Sequence, residues 1–163
     1  MRSTPQTNND IVLLKDTREP PRAWDRYFEA PCEVKCLKTG DYSLVGYEDE
    51  IAVERKTLDD LIGCLSSSRD RFVKELERAQ QLQYFAVIIE ATWSQIVSGQ
   101  YRSKLHVNSA NGSICAWEVR YRIPFFCVGN QELAARKCES LLRKYHREKL
   151  KESQEVIEYE FPF

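Results

Sequence analysis

Asp41, Glu54 and Lys56 come first, because two carboxylates and an amine are the side chains needed to hold a divalent cation beside a phosphate. Hard cations such as Mg2+ bind carboxylate oxygens, keep several waters, and are commonly held by one or two carboxylates plus phosphate oxygens. A lysine beside such a cation can position or help deprotonate an attacking water, or balance charge on a phosphorane-like transition state. An isolated E-x-K is more often a pair of solvated strand positions. Here Asp16 and Asp41, each at the boundary of an apolar run, shift the balance.

The three residues meet only if the chain between them folds back on itself. Residues 41–46 and 51–56 read as two strands joined by Tyr47, Glu48, Asp49 and Glu50. With that loop Gly46 pairs with Ile51, Asp41 lies opposite Lys56 and Ser43 opposite Glu54. Strand side chains alternate between faces. Asp41, Glu54 and Lys56 therefore share one face, within cross-strand and diagonal reach, while Tyr42, Leu44, Ile51 and Val53 go to the core on the other. A loop one residue longer or shorter would flip the parity and bring Arg55 to Asp41 instead.

The surrounding elements are read from pattern. Residues 1–10 are polar, contain Pro5, and form a flexible N-terminal tail in this reading. Residues 11–15 suit a buried strand that delivers Asp16 at its end, before Pro20 and Pro21 break regular structure. Residues 32–37 give a second strand, and strands two to four read as a meander. Leu58, Leu61, Ile62 and Leu65 then follow helical spacing with Thr57 as N-cap. A second helix spans 70–83, with Phe72, Leu76, Ala79 and Leu82 on one face. Residues 84–90 form an unbroken apolar run suited to a central strand covered on both faces. Helices at 92–98, 109–121 and 131–151 and a strand at 125–128 complete an α/β domain, and the acidic segment 152–163 is expected to be loose or to pack late.

At 163 residues, 42% apolar and 30% charged, the chain has the size and composition of one folded domain. Its apolar runs are far short of the roughly 20 residues that cross a bilayer, and Met1 to Asp10 lacks a basic start and apolar stretch for export. An intracellular location is the resulting expectation. The net charge of −1 hides an asymmetry: −4 over residues 1–99, +7 over 100–151 and −4 over 152–163. Carboxylates beside a basic segment suit a metal-dependent enzyme acting on a polyanion. Of six cysteines only Cys32 and Cys36 are closely spaced, which disfavours zinc; Cys64, Cys115, Cys127 and Cys138 sit among apolar residues and read as reduced, buried thiols. Neither G-x-x-x-x-G-K-S/T nor G-x-G-x-x-G occurs, and the two histidines make no nucleophilic triad.

Gly40-Asp41-Tyr42, Val53-Glu54-Arg55-Lys56 and Asp60, preceded by Asp16-Thr17-Arg18-Glu19, resemble the G-D-Y, E-R-K-x-x-x-D and D-x-R-E elements of the XPF-type nuclease domain. Leu61-Ile62-Gly63, Arg69 and Arg71 resemble the residues directly downstream of that signature in the family. The resemblance is densest over residues 11–72 and extends to Glu90. It implies a restriction-endonuclease-like α/β core, a central mixed sheet flanked by helices, that hydrolyses DNA phosphodiesters with Mg2+ or Mn2+ near branches, flaps or junctions. By that resemblance Asp41 and Glu54 ligate metal, Asp16 and Asp60 support it directly or through water, and Lys56 serves the water or the transition state. Arg18 and Arg55 hold phosphate or orient the carboxylates, with ion pairing inside the acidic cluster as the plainer alternative, and Arg71 reaches the substrate backbone.

The resemblance also implies a homodimer through nuclease-domain helices, here 109–121 and 131–145. The tandem helix-hairpin-helix modules that many members carry have no counterpart, so duplex grip would come from this domain, its dimer, or a separate DNA-binding or helicase partner. Arg102, Lys104, Arg120 and Arg122 are candidate DNA contacts, and Tyr101 and Trp117 candidate stacking platforms. Two other readings compete. A catalytically silent junction-binding or dimerisation scaffold has no need of the full acidic set with its lysine, and a small-anion module lacks a phosphate loop.

Overall fold

The structure, a computed structural model, describes residues 11–160. The expectation for residues 1–10, and that for residues 161–163, lie outside them. Six strands form one mixed sheet in the order β2-β1-β3-β4-β5-β6: β1 (Leu13–Lys15), β2 (Cys32–Val34), β3 (Tyr42–Leu44), β4 (Ile51–Lys56), β5 (Tyr84–Ile89) and β6 (Phe125–Cys127). Five helices cover it: α1 (Leu58–Leu65), α2 (Arg69–Ala79), α3 (Trp93–Val97), α4 (Val107–Tyr121) and α5 (Gln131–Glu160), with a 3-10 turn at Trp24–Tyr27. The expected mixed sheet flanked by helices is present.

The meander is not. β2 pairs in parallel with β1 on its outer side, so β1 lies between β2 and β3, and only β3 and β4 form a hairpin. Chain order is a poor guide here because β2 is a three-residue edge strand with Glu33 and Val34 exposed, too short to declare its neighbour by an apolar face. β5 is central as expected, held in parallel by β4 and β6 and buried over all but Tyr84.

Each sheet face carries its own core. On one side α1, α2, α3 and α4 enclose Ala52, Phe85, Val87, Ile89, Phe72, Leu61, Ile114 and Trp117. On the other, α5 and the 3-10 turn cover Leu13, Tyr42, Leu44, Ile51, Val53 and Ile88 with Trp24, Ala134, Ala135, Cys138 and Leu142. Thr57 caps α1 as expected, its Oγ1 accepting the Asp60 N–H at 3.1 Å. α2 stops at Ala79, short of residue 83, because residues 80–83 turn to deliver β5. α5 runs on through the acidic segment to Glu160 instead of ending at 151. Lys149–Glu152 and Lys151–Glu148 pairs one turn apart extend it.

Candidate active site

The site begins with Gly40. Its φ of +80° and a Cβ position only 2.7 Å from Ala52 Cβ admit no side chain, so the chain can press onto β4 and present Asp41. Tyr42 pairs with Val53, a register two residues away from the one read from sequence, because the connection takes up residues 45–50 with Gly46 in a left-handed turn. A shift of two preserves parity. Tyr42 and Val53 share one core while Ala52 belongs to the other, so Asp41, Glu54 and Lys56 fall on the α1–α2 face and Arg55 on the opposite one.

On that face the Arg55 main-chain N–H donates to Asp41 Oδ2 at 2.8 Å, and Lys56 Nζ donates to Glu54 Oε1 at 2.8 Å. The Lys56 ammonium also lies over the Phe72 ring, 4.9 Å from its centroid. Glu54 is only 4% exposed, and its second oxygen, Oε2, has no hydrogen-bond partner among the described residues. Burial, then the charges of Asp41 and Glu75, push the Glu54 carboxyl well above the usual carboxylate range against the pull of Lys56. Burial likewise raises Asp41, opposed by the Arg55 N–H and by Lys56. Burial disfavours the Lys56 charge, yet the Glu54 carboxylate beside it holds the ammonium above its ordinary value. Among the described residues no three acidic, histidine or cysteine side chains converge closely enough to enclose an ion by themselves.

The other predicted residues are placed differently. Asp16 is fully buried, and both its oxygens are engaged: Oδ1 accepts the Leu37 N–H at 2.8 Å, and Oδ2 accepts the Arg18 N–H at 3.1 Å and Nε–H at 2.6 Å. Burial works against its charge, but these donors win and lower its pKa. Arg18, its side chain 71% exposed, also donates to the Leu37 carbonyl. Asp60 and Arg71 are exposed, the first in the opening turn of α1 and the second in that of α2. Arg55 turns to the far face, where Glu90 and Glu19 receive it.

Sequence reading missed Glu75 as a member of the carboxylate group. Its position three residues after Phe72 on the apolar stripe of α2 was the available signal, since Phe72 reaches Lys56. It also missed Glu90 as a partner of Arg55, and Trp24, whose indole N–H donates to Glu90. Trp117 is no stacking platform: it is 1% exposed and packs with Phe72 and Phe125, with the Arg69 guanidinium over its ring. Tyr101 is half-buried against the same core and donates its hydroxyl to the Leu105 carbonyl. Arg102, Lys104, Arg120 and Arg122 are exposed as a DNA contact requires. All six cysteines are free, but Cys115 is exposed, contrary to the buried reading, and Cys127 only half-buried.

A mixed sheet that brings two carboxylates and a lysine to one face, with a third carboxylate from the covering helix, defines the class of α/β nuclease folds built around a carboxylate–lysine hairpin. The chain belongs to the ERCC4 domain family, whose match spans residues 16–141, and its fold is that of the XPF nuclease domain. It resembles XPF from Aeropyrum pernix with a TM-score of 0.65 and 25% identity, covering 82% of this chain and 61% of that one. The same protein in complex with DNA gives a TM-score of 0.65 and 26% identity over 84% of this chain and 66% of that one. In sequence it is 28% identical over 147 residues to a Methanocaldococcus jannaschii protein named as an ATP-dependent RNA helicase, MJ1505, covering 90% of this chain but only 17% of the relative. No described helix is long and apolar enough to cross a membrane.

Proposed function

We propose that this chain is a divalent-metal-dependent DNA endonuclease domain that hydrolyses phosphodiesters at branched, flap or junction DNA. Glu54 Oε2 carries the reading: a buried carboxylate oxygen without a partner, set beside two further carboxylates. Lys56 balances one carboxylate only, and the crowding of buried carboxylates beside a polar atom without a partner is costly; a cation offsets that cost. The donors fit Mg2+ or Mn2+, being hard oxygens, and two protein carboxylates suffice for ions that retain water and accept phosphate oxygens. Asp41 and Glu54 would hold the ion, which when bound polarises the phosphoryl oxygen and activates water.

Lys56, kept protonated by Glu54, acts as hydrogen-bond donor and counter-charge to the phosphoryl oxygens and not as a base. Asp16, with both oxygens engaged, is assigned to orienting Arg18 and the loop through Leu37, and Asp60 to the water shell of the site. Arg18 and Arg71, both exposed, are assigned to substrate phosphates. DNA as substrate is supported by the family and by the relative's complex with DNA. A homodimer through nuclease-domain helices, and a helicase acting with the domain, are further parts of the proposal; the second is supported by the much longer helicase-named relative. We place the protein inside the cell, in the cytoplasm, nucleoid or nucleus.

The test is cleavage of labelled single-stranded, duplex, flap, splayed-arm and four-way-junction DNA in Mg2+, in Mn2+ and in EDTA, with Glu54→Ala beside wild type. Metal-dependent cutting of branched forms that vanishes in the variant is the expected result. Tight junction binding with no cutting would instead favour the scaffold.

A further inference from the structure

Behind the carboxylate face lies a closed circuit of five side chains that sequence reading did not assemble. The Arg55 Nε–H donates to Glu90 Oε1 at 2.8 Å, and the Trp24 Nε1–H donates to the same oxygen at 2.7 Å. The Trp24 main-chain N–H donates to the Tyr42 hydroxyl at 3.2 Å, which donates in turn to Glu19 Oε2 at 3.2 Å. Glu19 Oε2 closes the circuit by pairing with Arg55 Nη1 at 3.6 Å. Trp24 stacks on Tyr42 with ring centroids 5.0 Å apart, and both are fully buried. The Arg55 side chain is 12% exposed and those of Glu90 and Glu19 are 12% and 10%.

Arg55 is therefore tied on the side of the sheet away from Glu54 and Lys56, with its Nε–H on Glu90 and its Nη1 paired with Glu19. A residue held this way is in no position to track a phosphate. What it gives the site is its main-chain N–H, on Asp41 Oδ2 at 2.8 Å. Glu90 ties the same strand twice, because its own N–H donates to the Lys56 carbonyl at 2.8 Å. The two residues that follow Glu54 are thus both fixed by the residue at the end of β5.

We propose that Arg55 serves the reaction from behind the sheet, and that Glu90, itself held by the Trp24 indole, is a positioning residue whose hold on the guanidinium fixes the Asp41 carboxylate and the Glu54–Lys56 strand. The proposal rests on the nuclease reading above and sets aside the phosphate-holding role for Arg55. Partners of this kind typically contribute about 10- to 100-fold to activity.

The experiment compares wild type, Glu90→Gln, Arg55→Gln and the double variant in three measurements. Single-turnover cleavage in Mg2+ should fall about 10- to 100-fold in each single variant and no further in the double. DNA affinity in EDTA across a salt series should keep the wild-type slope. A phosphate contact at Arg55 would instead reduce the slope of log K against log salt by about 0.9, and that result, or wild-type cleavage by Glu90→Gln, overturns the proposal. Thermal unfolding of the four proteins reads the circuit without turnover: non-additive losses are expected for a coupled pair, and additive ones overturn it. If wild type itself cuts no DNA while the pair stays coupled, the nuclease reading fails, and the positioning role with it. Should Glu90→Gln fail to fold, Tyr42→Phe opens the circuit on its far side with one hydroxyl removed, and the same fall in cleavage at unchanged salt slope is required of it.

Discussion

Lys56 and Glu54 divide their work by charge. Lys56 Nζ holds one oxygen of Glu54 and leaves the other unpartnered. Lys56→Ala should lower cleavage about 100- to 1,000-fold, the scale for losing one electrostatic donor to a transition state, while Mn2+ still raises the unfolding temperature; loss of the metal response in this variant would show that Lys56 maintains the ion's site. Glu19 behaves differently. Burial and then the nearby Asp41 charge push its carboxyl from 4.5 to about 7, against the pull of Arg55. A carboxyl raised on folding favours the folded state below its unfolded value, and that contribution is lost as pH rises through the folded one. In EDTA, urea stability should therefore decline between about pH 4.5 and 7, and Glu19→Gln should flatten that decline; an unchanged profile would mean that other groups set it. At this scale Asp41, Glu54 and Lys56 were legible because strand parity alone assigns their face. Glu75, Glu90 and Trp24 were not, because packing brings them from elements whose placement no local pattern encodes.

At the scale of elements, the hairpin depends on Gly40. Its backbone has a left-handed φ, and any Cβ would meet Ala52 Cβ at 2.7 Å. Gly40→Ala should cost about 1–3 kcal/mol of stability and displace Asp41, lowering cleavage as well; denaturant unfolding at wild-type stability would contradict this. Helix α1 with its Thr57 cap and the central strand β5 were readable from spacing and composition. The hairpin register was readable only to its parity, since the connection extends over residues 45–50. The position of β2 was not readable, because a half-exposed edge strand pairs through its backbone and carries no side-chain pattern that names a neighbour.

At the scale of the whole molecule, two cores on opposite faces of one sheet lock the hairpin between them. The buried stripes of α4 and α5, Ala110, Ile114 and Trp117 in the first and Ala134, Ala135, Cys138 and Leu142 in the second, pack on the sheet, so a second copy would meet their outer sides, where Val119 and Leu133 are exposed. The end of α5 projects beyond this body, with Val156 and Tyr159 54% and 88% exposed. Replacing Val156 and Tyr159 together by Ser should therefore change the stability of an isolated copy by no more than about 0.5 kcal/mol, the scale of exposed sites. A larger loss, accompanied by a smaller mass in sedimentation, would show that this end holds two copies together.

The central claim is that the free oxygen of Glu54 receives a cation. It is tested most directly by following the unfolding temperature of wild type and Glu54→Gln during Mn2+ titration. Without metal, Glu54→Gln relieves the crowding by Asp41 and Glu75 but gives up the Lys56 ion pair, so the response to metal, and not the starting stability, is what is compared. With Mn2+, wild type should gain stability with metal concentration, as a ligand of the native state requires, while Glu54→Gln gains little. Equal gains in both proteins would contradict the account.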